Sequence, residues 1–218
     1  MTTSTSDRSV QFAGGILGRQ RHICAFFNST DEEHRVLHSF FKDGFDRGEK
    51  AFHLVDPELR EEHLKRLASA GINTQQALAT GQLEVRSWQE AYLREDRFDQ
   101  NATLAFIEGI LQSAAAAGYP LTRLVGHAEF ALLDKPGMED LLEYETRLNY
   151  VLPKYDDIVI CAYNLSKFGA SMVMDVLRTH PVVIIGGVLQ ENPFFVPPDQ
   201  FLLEIKERRS VGKSAGMS

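Results

Sequence analysis

The sequence predicts an α/β fold of three layers, a mostly parallel sheet with helices on both faces. Three observations predict it. Short apolar runs alternate with helical patterns of about 10 to 20 residues along the chain, the rhythm of strand–helix–strand units. The length, 218 residues, suits one large domain with a substantial core. No internal repeat, low-complexity stretch or linker interrupts the pattern.

The elements follow in order. Residues 1–9 read as a disordered tail and the Gly-rich segment 12–18 as a turn or edge hairpin. The first strand is 22–27. Asn28-Ser29-Thr30 then supplies helix N-cap residues, with Ser29/Glu32 or Thr30/Glu33 as a capping box. Val36, Leu37, Phe40, Phe41 and Phe45 share one face of the helix, which Gly48 ends. A strand at 51–55 precedes a helix that starts near Pro57 and closes at Gly71. Strand 83–88, helix 99–117, a fourth strand within 121–132, helix 137–152, strand 158–163, helix 167–178 and strand 182–186 complete the alternation. Residues 201–205 read as a last edge strand or docked segment, and 206–218 as a flexible C-terminal tail.

Composition narrows the function. The net charge of −7 removes the basic stripe that direct nucleic-acid binding needs. No apolar run is long enough for a membrane helix, and residues 1–8 lack the apolar stretch of a signal peptide. A cytoplasmic protein without membrane contact is the expectation. The two cysteines, Cys24 and Cys161, lie in apolar runs and read as buried thiols.

In such a sheet ligands bind beyond the carboxyl ends of the strands. The turn after the first strand reads Asn28-Ser29-Thr30-Asp31-Glu32-Glu33. A phosphate loop needs glycines, a lysine and a magnesium-binding hydroxyl. This turn has neither glycine nor lysine, and three acids repel triphosphate, so the layout is that of a P-loop fold without its phosphate site. Gly126-His127-Ala128-Glu129 follows the fourth strand, and Glu129 stands where P-loop enzymes keep an acid for metal or water. The His127-x-Glu129 spacing also suits zinc deaminases, but the chain lacks the Cys-x-x-Cys pair they require.

Glu145 lies on the apolar stripe of its helix, seven residues from Met138 and from Leu152. A buried carboxylate must be paired, protonated or bound to a ligand. An ion pair with Arg123 or Arg147 is one expectation, and a ligand contact the other. His22, Cys24, His127, Cys161 and His180 sit in or beside strands. They could share a transition metal if the strands bring them together. No pair has strong metal spacing, so no metal and no cofactor is assigned. His180 before Pro181 reads as a helix stop. Phe26, Phe27, Trp88, Tyr92, Phe130, Tyr163 and Phe194-Phe195 are core, with a minority free to line an apolar pocket.

These motifs, in this order, resemble one family. They are His22-Ile23-Cys24-Ala25-Phe26-Phe27, Gly44 with Gly48-Glu49-Lys50, Gly81-Gln82-Leu83 and Gly126-His127-Ala128-Glu129, then Tyr144-Glu145 with Asn149, Cys161-Ala162-Tyr163, His180-Pro181 and Asn192-Pro193. The chain resembles the MEDS domain, a sensory module of methanogens, methylotrophs and a dichloromethane-response regulator. The resemblance spans roughly residues 20–195 and places the domain at 10–205. It implies a RecA-like or KaiC-like P-loop fold that has lost its nucleotide motif. It also implies an input module of bacterial signalling that recognises a hydrocarbon derivative and serves a histidine kinase, an anti-sigma switch or a transcription regulator. With only a short segment after the domain, signalling through a partner protein or a homodimer is expected.

The expectation is a non-catalytic small-molecule sensor whose ligand meets His22, Cys24, Asn28, Ser29, Thr30, His127, Glu129, Glu145, Cys161 and Tyr163. The alternatives are a divergent ATPase or hydrolase using Glu129, and a ligand-free scaffold.

Overall fold

The structure, a computed structural model, describes residues 9–215. The Gly-rich start forms a hairpin of β1 (Val10–Phe12) and β2 (Gly15–Leu17). The core elements are β3 (His22–Phe27), α1 (Thr30–Asp46), β4 (Lys50–Val55), α2 (Arg60–Ser69), α3 (Thr74–Thr80), β5 (Leu83–Ser87), α4 (Trp88–Ala91) and α5 (Gln100–Ala116). After them come β6 (Thr122–His127), α6 (Leu141–Val151), β7 (Ile158–Asn164), α7 (Ala170–Thr179), β8 (Val182–Ile185), β9 (Val188–Glu191) and α8 (Pro198–Ala215).

Seven strands make one sheet in the order β5-β4-β6-β7-β3-β8-β9, parallel except for β9 at the edge. Side chains alternate along each strand, and both faces are buried. Ile23, Ala25 and Phe27 of β3 pack under α1, α2 and α3 with Leu37, Phe40 and Leu67. Cys24 and Phe26 face the other way, toward α5, α6 and α7 with Ile107, Leu148 and Val176. The three-layer α/β expectation holds.

Four departures have local causes. β6 stops at His127, and Ala128–Leu132 turns as a 3-10 helix with Ala128 and Phe130 buried. A short apolar run does not distinguish a strand from such a turn. β9 pairs with β8 through Gly186-Gly187, both at positive φ (59° and 77°), a two-residue hairpin that only glycine enters freely. Residues 201–205 are helical, with Phe201 and Ile205 buried four residues apart on one face of α8. α8 then continues to Ala215 in place of the expected tail. Arg208 bonds Glu204 one turn back, and Arg209 reaches Asp140 and Glu143 at the start of α6. Residues 216–218, and all of the expected N-terminal tail but Ser9, lie outside the described residues.

One buried ion pair joins the sheet to α1. Arg123 of β6 donates to Glu49 at 2.5 Å, Asp43 at 2.6 Å and the Phe40 carbonyl at 2.5 Å, with its guanidinium 4.7 Å from the centre of the Phe40 ring. Gly44 makes room for it: a Cβ there would stand 2.8 Å from Arg123 Cδ and Nε. Removing one partner strands a buried charge, which costs about 3–5 kcal/mol. Arg123→Leu should lower the unfolding free energy by about that amount in urea. A loss within the ordinary surface-mutation range of about 0.5 kcal/mol would show that the triad carries no stability.

Candidate functional site

A cavity of about 170 Å³ opens at the carboxyl ends of β3, β4, β6 and β7, between α1 and α2. Phe27, Val55, Trp88 and Tyr163 give it apolar walls, and Ser29, Thr30, Glu33, His63, His127, Glu129 and Lys167 its polar groups. Trp88 is buried, and its Nε1–H has no hydrogen-bond partner among the described residues. A buried donor left unspent is costly unless something supplies an acceptor.

The α1 N-terminus carries its own cap and its own counter-charges. Ser29 Oγ accepts from the Glu32 amide at 3.2 Å, and Glu32 reaches back to accept from the Asn28 amide at 2.7 Å and from Asn28 Nδ2 at 2.9 Å. The box is therefore the Ser29/Glu32 one, closed on the residue before the cap. Asp31, Glu32 and Glu33 fill the first turn, so this end of the helix repels phosphate.

The fixed charges in the cavity come in pairs. His127 Nε2 lies 2.7 Å from Glu33 Oε1, and its Nδ1 lies 3.2 Å from the Leu54 carbonyl. A carbonyl can only accept, so Nδ1 donates to it. Burial opposes the imidazolium, but the Glu33 charge and hydrogen bond, with Glu129 beyond, raise the His127 pKa to about 9. Burial likewise opposes the Glu33 carboxylate, and His127 outweighs it and lowers that pKa. Lys167 stands 3.5 Å from Glu129 across the mouth. Behind the pair, His53 Nδ1 and His63 Nε2 lie 2.7 Å apart. Desolvation lowers both pKa values, that of His53 to about 3, so these two rings are neutral.

A second polar cluster lies on the other face of the sheet, under α6 and α7. His22 opens β3, Cys161 sits mid-β7, Glu145 projects from α6 and His180 follows α7. All four are buried, with one potential ligand atom from each within 4.8 Å of the others. Glu145 Oε2 is 3.5 Å from both imidazole Nε2 atoms and 3.6 Å from Cys161 Sγ, while Tyr163 donates to Oε1 at 3.0 Å. Desolvation raises the Glu145 pKa, but the His22 hydrogen bond, the two histidines and Tyr163 together bring it below the usual carboxylate value. Desolvation, then Glu145, pushes the Cys161 thiol well up.

The expected site residues thus divide into two groups. Ser29, Thr30, His127, Glu129 and Tyr163 line the cavity. His22, Glu145 and Cys161 form the second cluster, which Tyr163 reaches through its hydroxyl. His22 begins its strand, so it is at the amino end of β3 and away from the cavity. Asn28 is spent on the cap. Cys24 pairs in register with Cys161, but its thiol points toward the Val182 carbonyl at 3.8 Å, and both thiols are free. Neither Arg123 nor Arg147 reaches Glu145: Arg123 serves Glu49 and Asp43, and Arg147 bonds Gln100 and Asn101. His180 does cap a carbonyl, that of Val176 at 3.0 Å, and also enters the cluster. Glu33, His63 and Lys167 are cavity residues, and His53 a buried partner of His63, that the sequence reading does not assign to a site. Glu33 was legible only as a capping acid, and His53 only as one residue of an apolar strand.

The family model of the MEthanogen/methylotroph, DcmR Sensory domain matches residues 21–181. The chain belongs to the MEDS family. Its sequence is 24% identical over 171 residues to the transcriptional repressor DcmR of Methylorubrum extorquens, covering 78% of this chain and 62% of that protein. The chain therefore spans less than two thirds of the repressor's length. Its fold is similar to that of a KaiC-like protein from Pyrococcus horikoshii OT3, with a TM-score of 0.56 and 15% identity over 83% of this chain and 76% of that one. That likeness makes the MEDS fold RecA-like. Among the described residues no helix is long and apolar enough to cross a membrane.

The His127–Glu33 pair gives this MEDS domain a defined pH response. Unfolded, His127 titrates near 6.5, and folded near 9. The folded value is the higher, so the pair's contribution is complete below pH 6.5 and is lost as pH rises to about 9. Stability should fall by up to about 3 kcal/mol over that span, and His127→Gln should flatten the fall. His53 and His180, both held near 3, act oppositely: their contribution is present above 6.5 and is lost on acidification. Urea unfolding of both proteins from pH 5 to 9 checks this, and a fall above neutrality that survives in His127→Gln would assign it to another group.

Proposed function

We propose that this MEDS domain is a non-catalytic cytoplasmic sensor whose strand-end cavity takes a small hydrocarbon derivative. The observation that supports this reading is a cavity of about 170 Å³ with apolar walls and internally paired charges, lined by Trp88, whose buried Nε1–H has no hydrogen-bond partner among the described residues, and by Lys167, which is already matched by Glu129. A cavity of about 150 Å³ holds a benzene-sized molecule. The ligand then has about six non-hydrogen atoms, an apolar body and one acceptor atom for the indole N–H. An oxygenated or halogenated hydrocarbon fits that description, in keeping with the sensory family and with a relative named as a transcriptional repressor.

The ligand signals through its contacts with α1 and α2. Glu33 and His34 of α1 face His63 and Arg66 of α2 across the cavity, and Arg66 bonds Asp31 at 2.5 Å. A ligand that fits one spacing of these helices better than another shifts their population by its differential affinity. The surface so altered is read by a signalling partner, a histidine kinase or a transcription regulator, or by a second copy of the chain.

The best tiny ligands gain about 1.5 kcal/mol per non-hydrogen atom. Six atoms give at most about 9 kcal/mol, so binding should be no tighter than sub-micromolar. Calorimetry with methanol, dichloromethane, phenol, acetophenone and toluene tests the reading. At least one should bind at one site per chain. Trp88→Phe should weaken the acceptor-bearing compounds by roughly five- to tenfold, the worth of about one hydrogen bond, and spare toluene. The proposal fails if none binds, or if magnesium–ATP is hydrolysed at a rate that Glu129→Gln abolishes.

A further inference from the structure

The cluster under α6 and α7 has no part in the proposed sensing chemistry, and its hydrogen-bond bookkeeping does not close. His180 Nδ1 faces the Val176 carbonyl at 3.0 Å, which can only accept, and Thr179 Oγ1 at 2.8 Å, which spends its own proton on that carbonyl at 2.9 Å and so accepts here, so the proton is on Nδ1 and Nε2 carries a lone pair. Asn149 fixes His22 in the same way. Its Nδ2 donates to the carbonyls of Thr179 at 2.8 Å and Thr146 at 3.1 Å, which sets the amide orientation and leaves Oδ1 to accept from His22 Nδ1 at 3.1 Å. In the neutral form both rings therefore turn an Nε2 lone pair toward Glu145, and His22 donates to the carboxylate only when it carries a second proton. His180 Nε2 is buried with no hydrogen-bond partner among the described residues.

Two lone pairs, a carboxylate and a thiol thus converge where only a cation satisfies them all. A proton on His22 would serve Glu145 and still leave His180 Nε2 unpartnered. A dication serves the whole set.

We propose that His22, Glu145, Cys161 and His180 bind one divalent transition metal of the zinc type. The separations suit it. Tetrahedral zinc with bonds of about 2.0–2.3 Å sets its ligand atoms roughly 3.3–3.6 Å apart. Three of the separations are 3.5, 3.5 and 3.6 Å, and Cys161 Sγ lies 3.8 Å from His22 Nε2. The donor set of two imidazoles, one thiolate and one carboxylate matches borderline-soft zinc and is wrong for calcium or magnesium. Ring nitrogens held by a carbonyl or amide oxygen on the far side are the usual outer shell of a metal-binding histidine. With four protein ligands the site is closed, hence structural in type. On binding, Cys161 gives up its thiol proton to solvent. A surface pocket of about 250 Å³, lined by Arg21, His22, Asn149, Leu152 and Pro181, leads in from the amino end of β3.

The site ties β3, β7, α6 and the α7–β8 junction at one point. It stands independently of the ligand proposed for the cavity, because none of its four residues lines that cavity.

The test is elemental analysis of the full chain as purified, followed by chelator treatment and cobalt(II) titration. One equivalent of metal per chain is expected. Cobalt should give the intense visible bands of a tetrahedral site and a thiolate charge-transfer band in the near ultraviolet. Cys161→Ser should abolish the charge-transfer band, and Cys24→Ser should keep it. Asn149→Ala should weaken zinc by roughly 10–100-fold with unchanged far-ultraviolet circular dichroism, which keeps the test decisive should Cys161→Ser not fold. Folded wild-type protein that takes up no cobalt, a charge-transfer band that persists in Cys161→Ser, or an unaltered zinc affinity in folded Asn149→Ala would each overturn the site.

Discussion

Glu145 sets a carboxylate into the layer between α6 and the sheet, and four other side chains are arranged around that decision. His22 and His180 turn their Nε2 atoms to it at 3.5 Å, Cys161 lies at 3.6 Å and Tyr163 donates to its second oxygen. The constraint behind this is general. A parallel sheet covered on both faces has no water to solvate a charge, so a polar side chain persists there only with partners. Arg123 obeys the same rule on the other face, with Glu49, Asp43 and the Phe40 carbonyl. The two clusters link the sheet to α1 on one side and to α6 and α7 on the other, and leave the strand ends as the place where polar groups meet open space.

There the chain keeps the layout of a RecA-like fold and replaces its chemistry. The amides of a nucleotide-binding helix N-terminus are free for phosphate. Here Ser29 Oγ takes the Glu32 amide, the acids Asp31, Glu32 and Glu33 occupy the first turn, and Glu33 turns inward to neutralise His127. Lys167, a cation of the cavity lining, is matched by Glu129, and Arg66 by Asp31. The net result is a small cavity with balanced charge and apolar walls, a poor host for triphosphate and a good one for a compact, weakly polar molecule.

Much of this was legible in the sequence. The absence of glycine and lysine after β3 excluded a phosphate loop, and the seven-residue spacing of Met138, Glu145 and Leu152 marked Glu145 as buried. Gly44 and Gly126, two residues of the family motifs, have steric reasons: a Cβ on the first would meet Arg123, and on the second would stand 2.6 Å from the Tyr92 hydroxyl. What the sequence hid is which face each polar residue takes. His22 and His127 are both strand histidines, yet parity along β3 and β6 sends one toward α6 and the other toward α1, at opposite ends of their strands. The partner of Glu145 was equally hidden, since an arginine was the obvious counter-charge and two distant histidines took its place. α8 was misread because two buried residues, Phe201 and Ile205, fit a strand end as well as a helix face.

Trp88 is the one tryptophan of the chain and a wall of the cavity, so its indole N–H resonance reports on the site without any label at a second position. The most direct measurement is that resonance in nuclear magnetic resonance titrations with phenol and acetophenone, and separately with magnesium–ATP. The account predicts a saturable shift of the indole N–H with at least one of the organic compounds and none with the nucleotide. A saturable shift with magnesium–ATP, and none with either organic compound, would contradict it.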